Sequence, residues 1–152
     1  MSDKIVFIYD EPGFMVQTII QNIAGAGFEV VDINADISEI ERHQYSSDVI
    51  VYYIGNAELG TKRVLKCING MCKEYRKSLC VIGESNSLRI AKETCDPGVI
   101  TIAYIRPLDV RKLVSDLGRM LSTREEYARK KTILLVDDDT DFLQIAYAWF
   151  DG

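Results

Sequence analysis

Two acidic pairs in the chain have the residue types and the placement of metal ligands. Asp10 and Glu11 follow a short apolar run near the N-terminus, and Asp137 and Asp138 follow a similar run near the C-terminus. A run of five or six apolar residues, rich in Ile and Val, is typical of a parallel strand that is covered on both faces. Open α/β sheets bind their ligands at the carboxyl ends of such strands. Both pairs are therefore candidate ligands for a hard divalent cation.

Strands and helices must alternate along residues 4–121 to position these acids. The predicted strands are residues 4–9, 28–33, 48–54, 79–83 and 99–105, and the predicted helices are residues 14–25, 37–45, 58–75, 87–94 and 109–121. This alternation predicts an α/β fold of the flavodoxin-like type, a doubly wound five-stranded parallel sheet with strand order 2-1-3-4-5. The first and third strands are neighbours in that order, so Asp10 and Glu11 face one cleft with the end of the third strand.

Some local details can also be predicted. Ser38 is a candidate N-cap of the second helix. Asn69-Gly70 could interrupt the third helix. Phe14 and Met15 recur with three isoleucines at helical spacing, which places them in the apolar stripe of the first helix.

The composition excludes several kinds of function. The 152 residues are 47% apolar, which is enough for a buried core, and 18 basic against 23 acidic residues give a net charge of −5. Without a basic block, this charge argues against nucleic acid and against a membrane surface as partners. No apolar stretch approaches the roughly 20 residues that span a bilayer, so we expect a soluble, cytoplasmic protein.

The cysteines do not have the spacing of a zinc site or of a redox pair. Cys67, Cys72, Cys80 and Cys95 form no CxxC motif, and His43 is the single histidine of the sequence. We therefore expect reduced and mostly buried thiols.

The second acidic pair predicts that the chain holds more than one domain. We divide it into a domain at residues 1–121, a helical, charged connector at residues 122–131, and the first strand and helix of a truncated second domain at residues 132–152. The connector lacks Gly and Pro, which favours helix through much of it. An incomplete domain cannot bury its apolar face. We therefore predict that residues 133–136 add as a sixth strand beside the fifth, or that residues 132–150 dock on another protomer in an exchanged homodimer.

With these motifs the chain resembles the receiver domain of response regulators in two-component signalling. The resemblance covers residues 4–121, and it returns at residues 131–152 as the start of a second receiver. In that family an acidic pair and an Asp at the end of the third strand hold a divalent cation, and this Asp accepts the phosphoryl group. A Thr or Ser after the fourth strand and a Lys-Pro after the fifth, here Arg106-Pro107, complete the site. The resemblance implies the CheY-like form of the fold and a role in signal transduction.

The decisive position departs from the family pattern. Asp10 and Glu11 match the acidic pair, but Tyr53 stands where the phosphoacceptor Asp is expected. A phenol has a pKa near 10 and is neutral at pH 7, which makes it a poor magnesium ligand and a poor phosphoryl acceptor. A register shifted by one residue offers Tyr52 or Ile54, and neither restores the site. We expect the Tyr53 ring to fill the emptied cleft.

The remaining site positions also differ from the family pattern. Gly83 falls at the Thr/Ser position, with Ser85 two residues on as a substitute. Arg106 replaces the Lys and keeps its charge, but the guanidinium is bulkier and planar. It could pair with the acidic pair across the cleft or face solvent. Ala103 stands where many receivers have an aromatic that switches rotamer, and Tyr104 would point to the other face of the sheet.

Two functions remain open. In the first, residues 1–121 are a non-phosphorylatable pseudo-receiver, a protein-interaction module and not an enzyme, whose partners are histidine kinases or other receiver or output domains of a phosphorelay. Phosphotransfer is then left to the second receiver, in which Asp137 and Asp138 match the family. No cofactor would bind strongly, and Asp10 and Glu11 would hold Mg²⁺ only weakly.

In the second function, the cleft serves a small flavodoxin-like enzyme or cofactor binder, although no Gly-rich phosphate loop follows the first strand.

Overall fold

The computed structural model describes residues 4–55, 59–106 and 108–137, and the side chains of these residues except for Leu59 and residues 124–137. Within these ranges no helix is long and apolar enough to cross a membrane. Five strands alternate with five helices in this part of the chain. Their bounds are β1 Lys4–Tyr9, α1 Phe14–Gly25, β2 Glu29–Asn34, α2 Ile37–Arg42, β3 Val49–Tyr53, α3 Leu59–Tyr75, β4 Ser78–Gly83, α4 Ser85–Thr94, β5 Ile100–Ile105 and α5 Val110–Asp137.

The strands form one parallel sheet in the order β2-β1-β3-β4-β5, which confirms the predicted flavodoxin-like fold. Almost every residue of β1, β3 and β4 is buried. These strands read as continuous apolar runs because helices cover both faces of a parallel sheet. In the β1–β3 ladder Ile8 pairs with Tyr52, and Tyr9 pairs with Tyr53. The two central strands therefore end level with each other at the predicted cleft.

Two apolar cores lie on the two faces of the sheet. The α2–α4 core holds side chains from α2, α3 and α4, and it includes Tyr52. The α1–α5 core holds side chains from α1 and α5, and it includes Tyr53 and Tyr104. Successive side chains of a strand point to opposite faces. For that reason Ala103 packs against the first core and Tyr104 lies in the second, as the sequence predicts.

The second and third helices correct two local predictions. Asp36 caps α2, because its carboxylate accepts a hydrogen bond from the Ser38 backbone N–H at 3.4 Å, so Ser38 lies inside the first turn and is not the cap. The α3 helix continues through Asn69-Gly70. The Asn69 side chain donates to the Asp96 carboxylate at 2.8 Å and accepts from the Asp96 backbone N–H at 3.0 Å. These bonds tie the middle of α3 to the turn after α4.

The first helix buries a narrower stripe than the sequence predicts. Val16, Ile19 and Ile23 are buried, whereas Phe14 is 85% exposed and Met15 is 40% exposed. Phe14 is the first residue of the helix, and the described residues leave its side chain uncovered. The two exposed apolar side chains therefore flank the end of the sheet that carries the acidic pair.

The last helix is longer than predicted. The sequence places its end near residue 121 and a strand at residues 133–136, but α5 continues from Val110 to Asp137. Residues 133–136 therefore lie in a helix and not in the predicted strand, and residues 122–131 lie in the same helix. A helix satisfies its backbone hydrogen bonds internally, while a strand needs a neighbouring strand. Asp138 and the rest of residues 138–152 lie outside the described residues, and the division of the chain into two domains stays a prediction.

The thiols agree with the sequence prediction. All four cysteines are free, three of them buried and Cys67 half-buried. Burial raises the pKa of Cys80 to about 12 and that of Cys95 to about 11. Such thiols react slowly at neutral pH, as structural core residues do.

Candidate functional site

A cleft of about 410 Å³ lies at the carboxyl ends of β1 and β3, where the sequence predicts it. The acidic pair, the end of the third strand and the basic residue after β5 all contribute to this edge of the sheet. The parallel register brings them together, because all five strands end on the same side. The lining includes Glu11, Pro12, Phe14, Met15, Tyr53 and Arg106.

Tyr53, which the sequence pattern places at the phosphoacceptor position, has most of its side chain buried. It ends β3, it is 8% exposed, and its ring belongs to the α1–α5 core. The Arg106 guanidinium lies over the ring, 5.2 Å from the ring centroid, and its Nη1 donates to the phenol oxygen at 3.4 Å. The cleft therefore presents a stacked aromatic ring and a cation, and not a carboxylate, at the end of the third strand.

Arg106 is held by the end of the β4–β5 ladder. Its backbone N–H donates to the Gly83 carbonyl at 3.0 Å, and its Nη2 lies 3.5 Å from the carboxylate of Glu84. The predicted pair with Asp10 or Glu11 is thus replaced by contacts with Glu84 and Tyr53. Glu84 is 74% exposed, so its ion pair contributes only ~0–1 kcal/mol.

Only some of the hydrogen-bond donors of the Arg106 side chain have a partner among the described atoms. It is 25% exposed, yet its Nε is buried without a hydrogen-bond partner among the described atoms. The contact of the guanidinium with the Tyr53 ring adds to one long hydrogen bond and one long ion pair. Pro107 lies outside the described residues.

The Asp10 carboxylate accepts two short hydrogen bonds. The Tyr52 hydroxyl donates to Oδ1 at 2.6 Å, and the Gly55 backbone N–H donates to Oδ2 at 2.7 Å. Tyr52 is fully buried and its hydroxyl also bonds with Thr61 of α3. Burial and the Asp10 carboxylate raise the pKa of Tyr52 far above its usual value. The phenol therefore stays protonated and acts as the donor.

The residues at this end of the sheet do not fit a magnesium site. Asp10 is engaged by two donors, Glu11 is exposed, and Tyr53 replaces the carboxylate of the third strand. Among the described side chains no three His, Cys, Asp or Glu residues lie close enough together to hold a metal ion. Magnesium requires several oxygen ligands in near-octahedral geometry. The second pair, Asp137 and Asp138, lies outside the described side chains.

The Thr/Ser position is closed by packing. A Cβ added to Gly83 would meet the Cβ of Ser87 at 3.1 Å and that of Ile54 at 3.4 Å. Ser87 is 3% exposed, whereas Ser85, the predicted substitute, is exposed at the start of α4. A side chain with a hydroxyl at this position would therefore require Ser87 to move.

The aromatic residue near the end of β5 is fixed by a buried polar contact. The Tyr104 hydroxyl donates to Asp116 of α5, and Arg119 pairs with the same carboxylate at 2.8 Å. Burial, followed by the bond to Asp116, raises the pKa of Tyr104. Tyr104 thus anchors α5 to the sheet, on the face opposite Ala103.

Sequence reasoning missed the partners of the two charged residues that matter most. The sequence does not indicate Glu84 as a partner of Arg106. It offers Tyr52 only as the phosphoacceptor position in a register shifted by one residue, and not as a partner of Asp10. A signal for Tyr52 was present in the alternation of β3, which places it on the face opposite Tyr53 and level with a residue two before Asp10. The length of a tyrosine side chain then allows its hydroxyl to reach the carboxylate.

No protein-family model matches the chain, and no curated protein matches its sequence. Solved structures do match it. A CheY-like response regulator receiver domain from Methanospirillum hungatei JF-1 is 14% identical with a TM-score of 0.61, over 83% of this chain and 98% of that chain. A response regulator receiver domain from Clostridium thermocellum is 17% identical with a TM-score of 0.59, over 82% of this chain and 98% of that chain.

A third structure, of a transiently phosphorylated switch in bacterial signal transduction, is 20% identical with a TM-score of 0.65. The match covers 82% of this chain and 99% of that chain. In all three cases almost the whole of the known structure is matched, although the sequences differ at four positions in five or more. The chain therefore has the CheY-like, flavodoxin-like fold in which receiver domains are built.

Proposed function

We propose that residues 1–121 form a pseudo-receiver, a non-phosphorylatable domain that acts in two-component signalling through protein contacts and not as an enzyme. The observation that carries the proposal is Tyr53, which takes the phosphoacceptor position and is stacked under Arg106. The likeness of the fold to receiver domains supports the signalling role. The chemistry of the cleft supports the loss of phosphotransfer.

Phosphoryl transfer to a receiver needs a carboxylate nucleophile and a cation that neutralises the incoming charge. Tyr53 offers a phenol that is hydrogen-bonded to Arg106, and Asp10 is held by Tyr52 and Gly55. Neither requirement is met by these contacts. We infer that no cofactor binds strongly and that any Mg²⁺ at the acidic pair is weak.

The mouth of the cleft supports an interaction role. Phe14 and Met15 expose 85% and 40% of their surface there, although large apolar side chains usually avoid water. Glu11 and Glu84, both exposed, flank the same edge. A partner that presents an aliphatic or aromatic side chain beside a basic one would complement this surface. We call Phe14, Met15, Glu11 and Glu84 the cleft rim.

The partners that we propose are a histidine kinase, another receiver or an output domain of the same phosphorelay. Phosphotransfer itself would belong to a second receiver, although the strand predicted before Asp137 and Asp138 is helix in this structure. We also propose a homodimer through residues 132–150.

Exposure of the chain to acetyl phosphate and Mg²⁺ tests the proposal. Intact mass measurement should show no added phosphoryl group, whereas a known active receiver treated in parallel should gain one. A stoichiometric adduct that is stable to acid and labile to base would be an acyl phosphate and would contradict the proposal. If an adduct forms, peptide mapping decides whether it lies within residues 1–121.

A further inference from the structure

The Asp10 carboxylate lies at the centre of a hydrogen-bonded network that joins four parts of the fold. Its oxygens accept from Tyr52 of β3 and from Gly55 of the loop after β3, and the same Tyr52 hydroxyl bonds with Thr61 in the first turn of α3. A Cβ on Gly55 would meet the Asp10 Cβ at 3.3 Å. The end of β1, the end of β3, the loop and α3 are therefore held through one carboxylate.

The phenol–carboxylate bond competes directly with a cation. A hydrogen bond of 2.6 Å from a hydroxyl to a carboxylate belongs to the short, charge-assisted class, which is about twice as strong as neutral bonds. A carboxylate oxygen has two lone pairs, so a cation bound to Oδ1 of Asp10 would share that oxygen with the Tyr52 hydroxyl. The donated proton draws on the same negative charge that the cation needs, so the bond from Tyr52 weakens cation binding at Asp10 whatever residue stands at position 53.

The two tyrosines act from opposite faces of β3. Tyr53 points into the α1–α5 core and removes a ligand, because a phenol stands in place of a carboxylate. Tyr52 points into the α2–α4 core and engages a ligand that the chain still has. Since their side chains lie on different faces, substitutions can separate the two effects.

We propose that Tyr52 is a second, independent reason why this end of the sheet does not bind divalent cations, and that Asp10 now serves as the acceptor that fixes the Gly55 turn to β1. The inference rests on the proposed function, since it concerns the same cleft. It predicts that Tyr53→Asp alone rebuilds only a weak cation site, and that Tyr52→Phe added to Tyr53→Asp strengthens it.

Titration with Mn²⁺ alone tests this in the full chain. Wild type, Tyr52→Phe, Tyr53→Asp and the double variant are compared by paramagnetic broadening of the backbone amide signals of Glu11 and Gly55. The double variant should bind about ten- to a hundredfold more tightly than Tyr53→Asp, because one hydrogen bond to a charged group no longer competes. Wild type and Tyr52→Phe should bind most weakly.

Tyr104→Phe in the Tyr53→Asp background is the matched control. It removes another buried phenol that donates to a carboxylate, Asp116, but one that lies away from Asp10. It should leave the affinity for Mn²⁺ unchanged within about twofold. Equal affinity of Tyr53→Asp and the double variant would overturn the proposal. So would the absence of binding in every variant, because Asp10 and Glu11 would then hold no cation even when Tyr52 has released them.

Amide hydrogen exchange gives a readout that does not depend on Tyr53→Asp folding. In Tyr52→Phe the Gly55 amide should exchange at least about tenfold faster, because its acceptor is no longer held in place. The Gly55 rate in Tyr104→Phe should match that of wild type. An unchanged rate in Tyr52→Phe would mean that Tyr52 does not position Asp10. Phosphorylation of the wild-type chain, by contrast, would contradict the proposed function and leave this comparison intact.

Discussion

The guanidinium of Arg106 lies 5.2 Å from the ring centroid of Tyr53, at the carboxyl ends of β5 and β3. A contact between a cation and an aromatic face needs no metal ion and no phosphoryl group. The pair therefore connects the ends of β3 and β5 without either group.

The first prediction concerns the Tyr53 ring. Tyr53→Ala should lower the free energy of unfolding by about 3 kcal/mol, because a buried aromatic ring and its contact with Arg106 are lost. Tyr53→Phe should cost less than about 1 kcal/mol, since the hydrogen bond that it removes is long, 3.4 Å. Urea unfolding measures both values. Equal losses in the two variants would show that the hydroxyl, and not the ring, is what matters.

The second prediction separates the two acids of the first pair. Asp10→Ala should lower the free energy of unfolding by about 1–3 kcal/mol, because it leaves the Tyr52 hydroxyl and the Gly55 N–H without their acceptor. Glu11→Ala should change it by no more than about 0.5 kcal/mol, since Glu11 is exposed. The two variants remove the same charge and so serve as controls for each other. A similar small effect for both would contradict a structural role for Asp10.

The third prediction concerns alkaline pH. The pKa of Cys80 is about 12 in the folded protein and about 9 for an ordinary thiol, so the folded state binds the proton more tightly. The resulting stability is fully present below pH 9 and is lost as the pH rises from about 9 toward about 12. The free energy of unfolding should therefore fall as the pH rises above 9. It should fall more steeply above pH 10, because the pKa values of the Tyr52 and Tyr104 phenols are also raised in the folded state, and these groups contribute to the same loss. Urea titrations at stepped pH measure this.

Cys80→Ala is the variant for that experiment. It should lower the stability at pH 7 by a small cavity term, but its stability should fall less steeply above pH 9 than that of wild type. Parallel curves for the two proteins would show that Cys80 does not contribute to the alkaline loss.

The fourth prediction concerns the cleft rim. Phe14→Ala should leave the free energy of unfolding within about 0.5 kcal/mol of wild type, because the side chain is 85% exposed. Its affinity for a partner that uses the rim should fall by about tenfold or more, as truncation of an aromatic anchor typically does. Tyr45→Ala is the control. Tyr45 is also an exposed aromatic residue, 75% exposed, but it lies in the loop between α2 and β3 and not at the cleft rim. Binding to candidate kinases and receivers by calorimetry measures the difference. Equal losses for both variants would argue against the rim.

Much of the fold follows from local signals in the sequence. The β-branched run that becomes β3 is too short and too apolar for anything but a covered strand, and Gly25 ends α1 as expected. The strand order then follows from the alternation of strands and helices. The end of α5 did not follow, because residues 133–136 have strand-forming side chains whose choice between helix and strand depends on whether a neighbouring strand exists.

The site was predictable in its positions but not in its contacts. The place of Tyr53 could be counted along β3, and its face followed from the alternation of the strand. The bond between Tyr52 and Asp10 depends on the register of β1 against β3 and on the reach of a tyrosine, which no local pattern contains. The contact of Arg106 with Glu84 depends in the same way on how two loops meet.

The close approach of Gly55 to Asp10 has a consequence for the evolution of this chain. A Cβ at position 55 would lie 3.3 Å from the Cβ of Asp10 and 3.4 Å from its Oδ2, a tight contact that glycine avoids and that a larger residue could make only if Asp10 or the loop shifted slightly. Position 52 joins them, because its hydroxyl holds the same carboxylate. We expect homologues to keep or lose this trio together, so that a tyrosine at position 52 predicts a glycine at position 55.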